Sequence, residues 1–283
     1  TDVYGGSSWA GGLVGYFNTG TLSNAHATGN LRAPSGWLGG LIGNASSVTI
    51  SNVYTTGSVT GTTAGGSNYV GGLIGQATST PVDNAYATGA VSGTGYVGGL
   101  IGRTNRDVQN TRASGTVTAT GNYIGGLIGR FDEGYQVTDS SASGSSVTVS
   151  GASYVGGLIG LVSDASARLY GVYSDYGVAG AKDWVGGLVG HLDGVIADST
   201  TAQPTARGSL HSYALGTVDG RYDVGGLVGR LASSGVIENA YSSGQVSGDM
   251  NVGGLLGFLT PGASVTNAHF NMGVLQVRGF TTA

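Results

Sequence analysis

Short apolar segments alternate with glycine pairs and polar turns along the whole chain, always in the same order. The tract Tyr69–Gly75, with the sequence Tyr-Val-Gly-Gly-Leu-Ile-Gly, shows the pattern most clearly. Its Gly-Gly-Leu-x-Gly core recurs at intervals of 27 to 39 residues. The nine cores begin at Gly11, Gly39, Gly71, Gly98, Gly125, Gly156, Gly186, Gly225 and Gly253. A period near thirty residues predicts one small unit stacked on copies of itself.

A second tract follows each glycine pair and completes the unit. It reads Asn-Ala-Tyr-Ala-Thr-Gly-Ala-Val-Ser-Gly at residues 84–93, and period-two alternation places Ala85, Ala87 and Val91 inside and Tyr86 outside. We therefore expect three short strands per unit: aromatic-Val-Gly-Gly-Leu-Ile-Gly, Val-x-Asn-Ala-Tyr-Ala and x-Val-x-Gly. Because the glycine pair breaks the alternation, the pattern does not decide whether the Leu or the Ile of the first strand faces the core.

Three short strands cannot bury their own apolar side, so the units must stack. Coils about 4.8 Å apart give every strand a neighbour above and below and create a continuous core. The predicted fold is all-β, a single parallel β-solenoid (β-helix) of about nine coils with one Gly-Gly-Leu-x-Gly tract in each. The usual preference of crossover connections predicts a right-handed coil. The glycine columns are expected at corners, where a positive φ or a close backbone approach excludes larger residues.

The repeats define one elongated body over residues 1–273, followed by a short, partly apolar tail at 274–283. We expect the tail to cover the last coil or to contact another subunit. Insertions fall between the constant tracts, at Thr62–Asn68 and in the seventh unit near Val195–Arg207, where Pro204 marks an exposed loop. The chain begins without Met or a signal peptide, so we expect a mature or excised piece of a longer protein.

Composition removes several classes of function. The chain has 57 Gly but only 4 Pro, and 9% of its residues are charged, which excludes collagen. The net charge is −4 and the Arg residues are scattered, so nucleic-acid binding is not expected. No apolar stretch approaches membrane-spanning length, so membrane insertion is not expected either. The absence of Cys excludes disulfides and fits an extracellular or a cytosolic protein equally well.

Alignment of the units on the glycine pair reveals a column that is mainly asparagine. An asparagine amide can hydrogen-bond to the asparagine of the next coil, so we expect a structural ladder. Its members are Asn24, Asn52, Asn84, Asn110, Asp139, Asn239 and Asn267. Gly171 and His211 occupy the same column and interrupt the ladder, so a local weak point is expected across the sixth and seventh coils.

Two aromatic columns are the candidate contact surfaces. The column that precedes the glycine pair consists of Trp9, Trp37, Tyr69, Tyr96, Tyr123, Tyr154 and Trp184. The other consists of Tyr54, Tyr86, Tyr173, Tyr213 and Tyr241, with His26 and His269 at its ends. Such rings can stack on one another and stiffen a rod, or they can stack against sugar rings or a partner surface. We favour the first, structural interpretation.

The two tracts together resemble a known motif. Gly-Gly-Leu-Val/Ile-Gly, followed at a fixed distance by Asn-Ala-Tyr-Ala-Thr-Gly, is similar to the GLUG motif of large bacterial surface and secreted proteins. These include filamentous-haemagglutinin-like adhesins and the non-catalytic repeats of immunoglobulin A peptidases. The similarity extends from Trp9 to about Gly273. It implies a secreted repeat module with a role in adhesion or surface structure, and it carries no catalytic residues.

Metal and cofactor sites have little support in the sequence. The four His residues lie far apart, and no His-Glu-x-x-His occurs, so a zinc site is not expected. The glycine tracts lack the Asp column of calcium-binding β-rolls and the Gly-Lys-Ser/Thr of phosphate-binding loops. We therefore expect no cofactor and no metal.

Glycan-processing β-helices are the main enzyme alternative, because they gather acidic residues on one face of adjacent coils. The candidate clusters are Asp132 with Glu133, Asp164 with Arg168, and Asp219 with Arg221 and Asp223. All of them fall at expected corners, and none recurs in register with a second acid. Solvated surface charges are therefore the favoured interpretation, and we expect no enzyme activity.

The sequence favours a non-catalytic, extracellular structural or adhesive module of a bacterial surface or secreted protein. Its expected partners are further copies of the chain or adjoining parts of a longer one, so that rods could join end to end into a filament. Host or environmental glycans or proteins are further candidate partners. A glycan-binding or glycan-processing β-helix is the alternative, and an ice-binding solenoid is a third. The third rests on a Thr/Ser column that Asp175 and Leu215 interrupt.

Overall fold

The structure, a computed structural model, describes residues 2–6, 8–62, 68–144, 148–197 and 211–271. Every regular element in these ranges is a β-strand, and the paired strands run parallel. The strands stack in nine coils that hydrogen-bond to their neighbours. The predicted parallel β-solenoid is thereby confirmed, while its handedness stays a prediction. The tail at 274–283 and much of the two predicted insertions lie outside the described residues.

Each coil contributes to four stacks of strands, and not to the three that the sequence predicted. The first stack carries the aromatic residue and the first glycine of the pair. Its register joins like with like: Tyr69 lies beside Tyr96, and Gly71 lies beside Gly98. This nine-stranded sheet consists of Trp9–Gly11, Trp37–Gly39, Tyr69–Gly71, Tyr96–Gly98, Ile124–Gly125, Val155–Gly156, Asp183–Gly186, Tyr222–Gly225 and Met250–Gly253.

The chain bends after the glycine pair, and this bend divides the segment that the sequence predicted as one strand. Leu73 and Ile74 are neighbours in sequence, yet both are fully buried, because the bend turns both side chains into the core. The alternation of side chains along a strand could not predict this, because successive side chains do not point to opposite faces where the chain bends. The second stack, which follows the bend, consists of Val14–Ser23, Ile42–Thr55, Ile74–Thr78, Ile101–Thr104, Ile128–Phe131, Ile159–Val162, Val189–Leu192, Val228–Leu231 and Leu256–Leu259.

Close backbone contact explains the glycine pair. A Cβ atom on Gly71 would lie 2.0 Å from the carbonyl oxygen of Ile74, and one on Gly72 would lie 2.1 Å from the carbonyl oxygen of Gly99 in the next coil. Real Cβ contacts are never this short, so any other residue would force the backbone to move. Neither glycine has φ in the left-handed region. Close approach, and not an unusual φ, therefore excludes larger residues here.

The third stack carries the Asn-Ala-Tyr-Ala tract. In the second coil it is the last part of the long strand Ile42–Thr55, and from the fourth coil onward it is divided into two short strands. The remaining members are His26–Ala27, Val82–Ala87, Val108–Gln109, Arg112–Ala113, Gln136–Thr138, Ser141–Ala142, Arg168–Tyr170, Tyr173–Ser174, Val195–Ala197, Ser212–Ala214, Val236–Glu238, Ala240–Ser242, Ser264–Thr266 and His269–Phe270.

The fourth stack closes the coil and forms the second nine-stranded sheet. Its valines pair in register, as Val91 does with Val59 and Val117. The sheet consists of Val3–Tyr4, Leu31–Ala33, Val59–Gly61, Val91–Gly93, Val117–Ala119, Thr148–Gly151, Gly177–Gly180, Val218–Asp219 and Val246–Ser247.

Columns of aliphatic side chains from all four stacks fill the space inside the coils. Ala85, Ala87 and Val91 are at most 2% exposed, whereas Tyr86 is 42% exposed. The inward and outward positions predicted from alternation are confirmed here. Because each apolar column continues from coil to coil, one core runs along the solenoid.

Tyr176 is an aromatic residue inside this aliphatic core. It is fully buried, and its hydroxyl donates to the carbonyl oxygen of Ala113, two coils earlier, at 3.0 Å. Its ring therefore spans the intervening coil along the solenoid. Burial, with a smaller contribution from Asp175, raises the pKa of Tyr176 far above its usual range, so the hydroxyl stays a donor at physiological pH.

Candidate binding surface

The asparagine column has a shared backbone conformation. Its members adopt φ between +47° and +58°, which is the left-handed region. Asn, Asp and Gly enter this region at lower cost than other residues, so the conformation accounts for the composition of the column. The residues concerned are Asn24, Asn52, Asn84, Asn110, Asp139, Gly171, Asn239 and Asn267. Gly171 has no side-chain amide and so interrupts the amide ladder, but its backbone has the same left-handed conformation as the asparagines.

Amide contacts join only some steps of this column. Asn84 donates to Asn52 at 2.6 Å, and Asn267 donates to Asn239 at 2.5 Å. Asn110 donates instead to Asp83, at 2.9 Å. Most of the column is exposed to solvent. The left-handed backbone conformation is therefore the feature common to these residues, and side-chain hydrogen bonds join only some of them.

The first aromatic column is a stack of rings in direct contact. Consecutive rings from Trp9 to Tyr154 stack with centroids 4.6 to 5.9 Å apart and interplanar angles of 6° to 30°. Trp184 meets Tyr154 edge-on at 4.2 Å. Each inner ring is covered on both faces by its neighbours. The stacked members are Trp9, Trp37, Tyr69, Tyr96, Tyr123, Tyr154 and Trp184. Only ring edges are left to contact a ligand, which weakens the case for this column as a sugar platform.

The column continues beyond Trp184 with polar residues that the sequence analysis did not include. Asp223 occupies the next position and accepts a hydrogen bond from Nε1 of Trp184 at 3.1 Å. Asn251 follows, and its amide donates to Asp223 at 2.7 Å. The signal was present in the sequence, because each residue stands two places before a glycine pair. Asp223 is 9% exposed, so it is a buried contact between coils and not a solvated charge.

Asp132 also differs from the expected solvated charge. It is 8% exposed and receives hydrogen bonds from Nε of Arg103 and Nε of Arg130, both at 2.6 Å, and from the hydroxyl of Ser163. Burial opposes ionisation of this carboxyl, but the donors outweigh it and hold the pKa of Asp132 below its usual range. The guanidinium of Arg130 also lies 5.7 Å from the centroid of Tyr123. The cluster therefore connects three coils and contacts the aromatic column through Arg130.

The other acidic candidates make local contacts. Asp164 accepts hydrogen bonds from the amide of Ser166 at 2.8 Å and from its hydroxyl at 2.7 Å, which holds a turn. Asp219 accepts from Ser247 of the next coil at 2.6 Å. Within the described ranges, no group of three or more His, Asp or Glu side chains could hold a metal ion. No helix in that part of the chain could span a membrane.

The second aromatic column is interrupted, and a groove lies at the interruption. His26, Tyr54 and Tyr86 stack with centroids 4.8 Å apart, and Tyr173, Tyr213 and Tyr241 stack at 5.0 and 5.1 Å. Between Tyr86 and Tyr173 the register places Arg112 and then Ser141, which carry no ring. The groove has a volume of about 940 Å³ and is lined by these four residues and by polar neighbours.

Comparison with protein families identifies the repeat. Residues 66–92 and 220–247 match the family model described as the GLUG motif. The resemblance drawn from the glycine and asparagine tracts is thereby confirmed at these two repeats. Comparison with curated proteins and with solved structures finds no match.

Proposed function

We propose that this chain is a non-catalytic structural and adhesive module of an extracellular or surface-attached bacterial protein. The observation that carries the proposal is the in-register stacking of nine coils, which builds a stiff rod with the same types of side chain repeated along its outside. A rod of nine coils is on the order of 40 Å long. Such a body holds binding groups away from a surface, and its stacked aromatic rings resist bending.

The contacts of the acidic residues support a non-catalytic role. Asp132 is held ionised by two arginines, so it is a poor proton donor. Asp223 lies between Trp184 and Asn251. A glycosidase needs two carboxyl groups that face one another across an open cleft. These carboxylates instead hold neighbouring coils together.

End-to-end association is the second part of the proposal, either with another copy or with an adjoining segment of a longer polypeptide. The first and last coils match at several column positions: Asn24 corresponds to Asn267, and His26 corresponds to His269. Apolar side chains are exposed at the two ends, including Leu13 and Leu259, each at 50%. A coil that continues the same columns would cover these side chains.

Surface location and adhesion are tested in the source bacterium. Antibody against the chain should label intact cells, and protease added outside the cells should remove that label. Beads coated with the purified chain should adhere to host or environmental surfaces, and the free chain should compete. Labelling that appears only after lysis would overturn the extracellular assignment, and beads that adhere no better than albumin-coated beads would overturn the adhesive one.

End-to-end association is tested by light scattering and negative-stain imaging over a range of concentrations. We expect rods that lengthen as the concentration rises. Leu259→Glu should stop this growth, because it places a charge in the proposed contact. Leu215→Glu is the matched control: Leu215 is similarly exposed, at 42%, but lies on the side of the rod. Equal inhibition by both substitutions, or a monomer at every concentration, would contradict end-to-end association.

A further inference from the structure

One titratable side chain is largely buried in the wall of the rod, where the first aromatic column ends. His191 lies on the strand Val189–Leu192 of the seventh coil, and its side chain is only 16% exposed. Its ring centroid is 5.5 Å from that of Trp184 in the same coil and 5.9 Å from that of Tyr154 in the preceding coil. Because these aromatic rings replace much of its water, a positive charge on the imidazole is poorly solvated.

The polar contacts of His191 suit the neutral form of its ring. Nδ1 is buried and has no hydrogen-bond partner among the residues that the structure describes. Nε2 lies 3.7 Å from a carboxylate oxygen of Asp193, which is beyond ordinary hydrogen-bond distance. A neutral imidazole carries a proton on only one nitrogen, whereas the protonated ring is a donor at both. Protonation would therefore bury an N–H group without an acceptor, which costs free energy.

The charged groups around His191 act in opposite directions. Arg230 is its in-register neighbour in the eighth coil, and this like charge opposes protonation. Asp193 and Asp223 favour protonation. The hydroxyl of Tyr154 adds no charge, because burial raises its pKa. Burial of the imidazole is the largest influence, and together with Arg230 it outweighs the two carboxylates, so the pKa of His191 lies below its usual value.

The backbone beside His191 is strained. Tyr154 and Trp184 have φ of 54° and 59°, in the left-handed region. Bulky residues enter this region at a cost and stay there only where surrounding contacts hold them. In the next two coils the same position is occupied by Asp223 and Asn251, which are residue types that tolerate this conformation. The ring contacts of Tyr154 and Trp184, including those with His191, therefore hold the backbone in a conformation that it would leave if they weakened.

We infer that His191 makes the seventh coil sensitive to mild acid: uptake of one proton by its imidazole releases this ring from Trp184 and Tyr154 and opens the coil locally. In the open form the imidazole has its ordinary pKa near 6.5 and accepts a proton that the packed form resists. The stability that the packed ring supplies is therefore complete above about pH 6.5. It is lost as the pH falls toward the folded pKa, by up to about tenfold in the opening equilibrium constant for each pH unit. This inference does not depend on the proposed adhesive role.

The test measures the urea unfolding of the full chain between about pH 8 and about pH 5.5. His191→Phe keeps a ring but cannot take up a proton, and Phe258 occupies the same column two coils later, so a phenylalanine fits there. The stability of this variant relative to the wild type should rise as the pH falls below about 6.5. His26→Phe is the matched control: it replaces an exposed histidine of the first coil and should follow the wild type at every pH.

Two neighbouring charges and a local measurement complete the test. Arg230→Met removes the like charge and should reduce the loss of stability in acid, whereas Asp193→Asn removes the nearest carboxylate and should increase it. Hydrogen exchange at about pH 6 shows where the chain opens. Amides of Val189–Leu192 should exchange up to about fourfold faster in the wild type than in H191F, whereas those of Tyr69–Gly71 in the third coil should not differ.

The outcomes decide between local opening at His191 and a general effect of acid. Parallel pH curves for the wild type and H191F refute the inference, and so does a change in H26F as large as that in H191F. Equal acceleration of exchange in the third and seventh coils refutes local opening. If H191F does not fold, opposite shifts in R230M and D193N support the inference, and shifts in the same direction, or none, refute it.

Discussion

The buried ring of Tyr176 provides a sharp test of how the coils are held together. Its hydroxyl donates to the carbonyl oxygen of Ala113 at 3.0 Å and lies 3.4 Å from that of Gly115, and the Ala113 oxygen also accepts the amide of Ser143 at 3.0 Å. Tyr176→Phe therefore removes one shared donor but leaves the Ala113 carbonyl with a partner. The expected cost is about 1 kcal/mol, the net value of one hydrogen bond, and not the larger penalty of an unsatisfied buried group.

Removal of the whole ring should cost much more. Tyr176→Ala deletes a fully buried aromatic side chain that spans a coil, and the β-sheets on either side cannot collapse far into the space. Truncation of a large buried aromatic side chain costs about 3–5 kcal/mol, so packing outweighs the hydrogen bond by a factor of about three or more. Urea unfolding followed by circular dichroism measures both values, provided that the dependence of the free energy of unfolding on urea concentration is the same in the variants and the wild type.

Tyr4 supplies the matched control, because it is 78% exposed on the first coil. Tyr4→Phe and Tyr4→Ala should each change the free energy of unfolding by no more than about 0.5 kcal/mol. If Tyr176→Phe costs as much as Tyr176→Ala, then the hydroxyl and not the ring is the main contact. If Tyr176→Ala costs less than about 1 kcal/mol, then the side chain does not fill the core as described.

Substitutions at three further positions test the bend after the glycine pair, the left-handed column and the buried carboxylate. Gly72→Ala should destabilise the chain by about 3 kcal/mol, the upper part of the usual range for overpacking, in urea unfolding. Gly6→Ala, which meets no atom within 4 Å, should have little effect, and similar losses would refute the close-approach explanation. Gly171→Asn should be nearly neutral and Gly171→Val should cost about 1–2 kcal/mol, and the reverse order would contradict a left-handed backbone there. Asp132→Asn should lower stability at pH 7 by about 1–3 kcal/mol. Because the folded state depresses the pKa of Asp132, this contribution is complete above the ordinary value near 3.9 and is lost as the pH falls through the folded pKa, so a wild-type advantage that persists at lower pH would count against the ion pairs.

The fold could be predicted from the sequence because nine copies of one pattern reinforce each other. A single Gly-Gly-Leu-Ile-Gly tract has no unique structure, but nine copies in order allow only a stacked arrangement. The division of the first strand could not be predicted in this way. Leu73 and Ile74 both face the core because the backbone bends after Gly72, and that bend depends on contacts with the next coil. Alternation along one strand contains no information about the neighbouring coil.

The column of asparagines was only partly understood from the sequence. Its members share a left-handed backbone conformation, while amide contacts between asparagines join only some of its steps. The presence of both Asp139 and Gly171 in the column was the better signal, because Asn, Asp and Gly share tolerance of the left-handed region and not the ability to form an amide ladder. In the same way, the position of Asp223 before a glycine pair placed it in the aromatic column.

The groove shows how a departure from the repeat changes the surface of the rod at one place. A perfect repeat covers its own aromatic faces, because each ring stacks on the ring of the next coil, and it therefore offers every ligand the same closed surface. Where Arg112 and Ser141 replace two tyrosines, the backbone register continues and the rings on either side stay in place. The regular columns thus form a rigid frame, and the departure from the repeat creates a polar groove at one place along it.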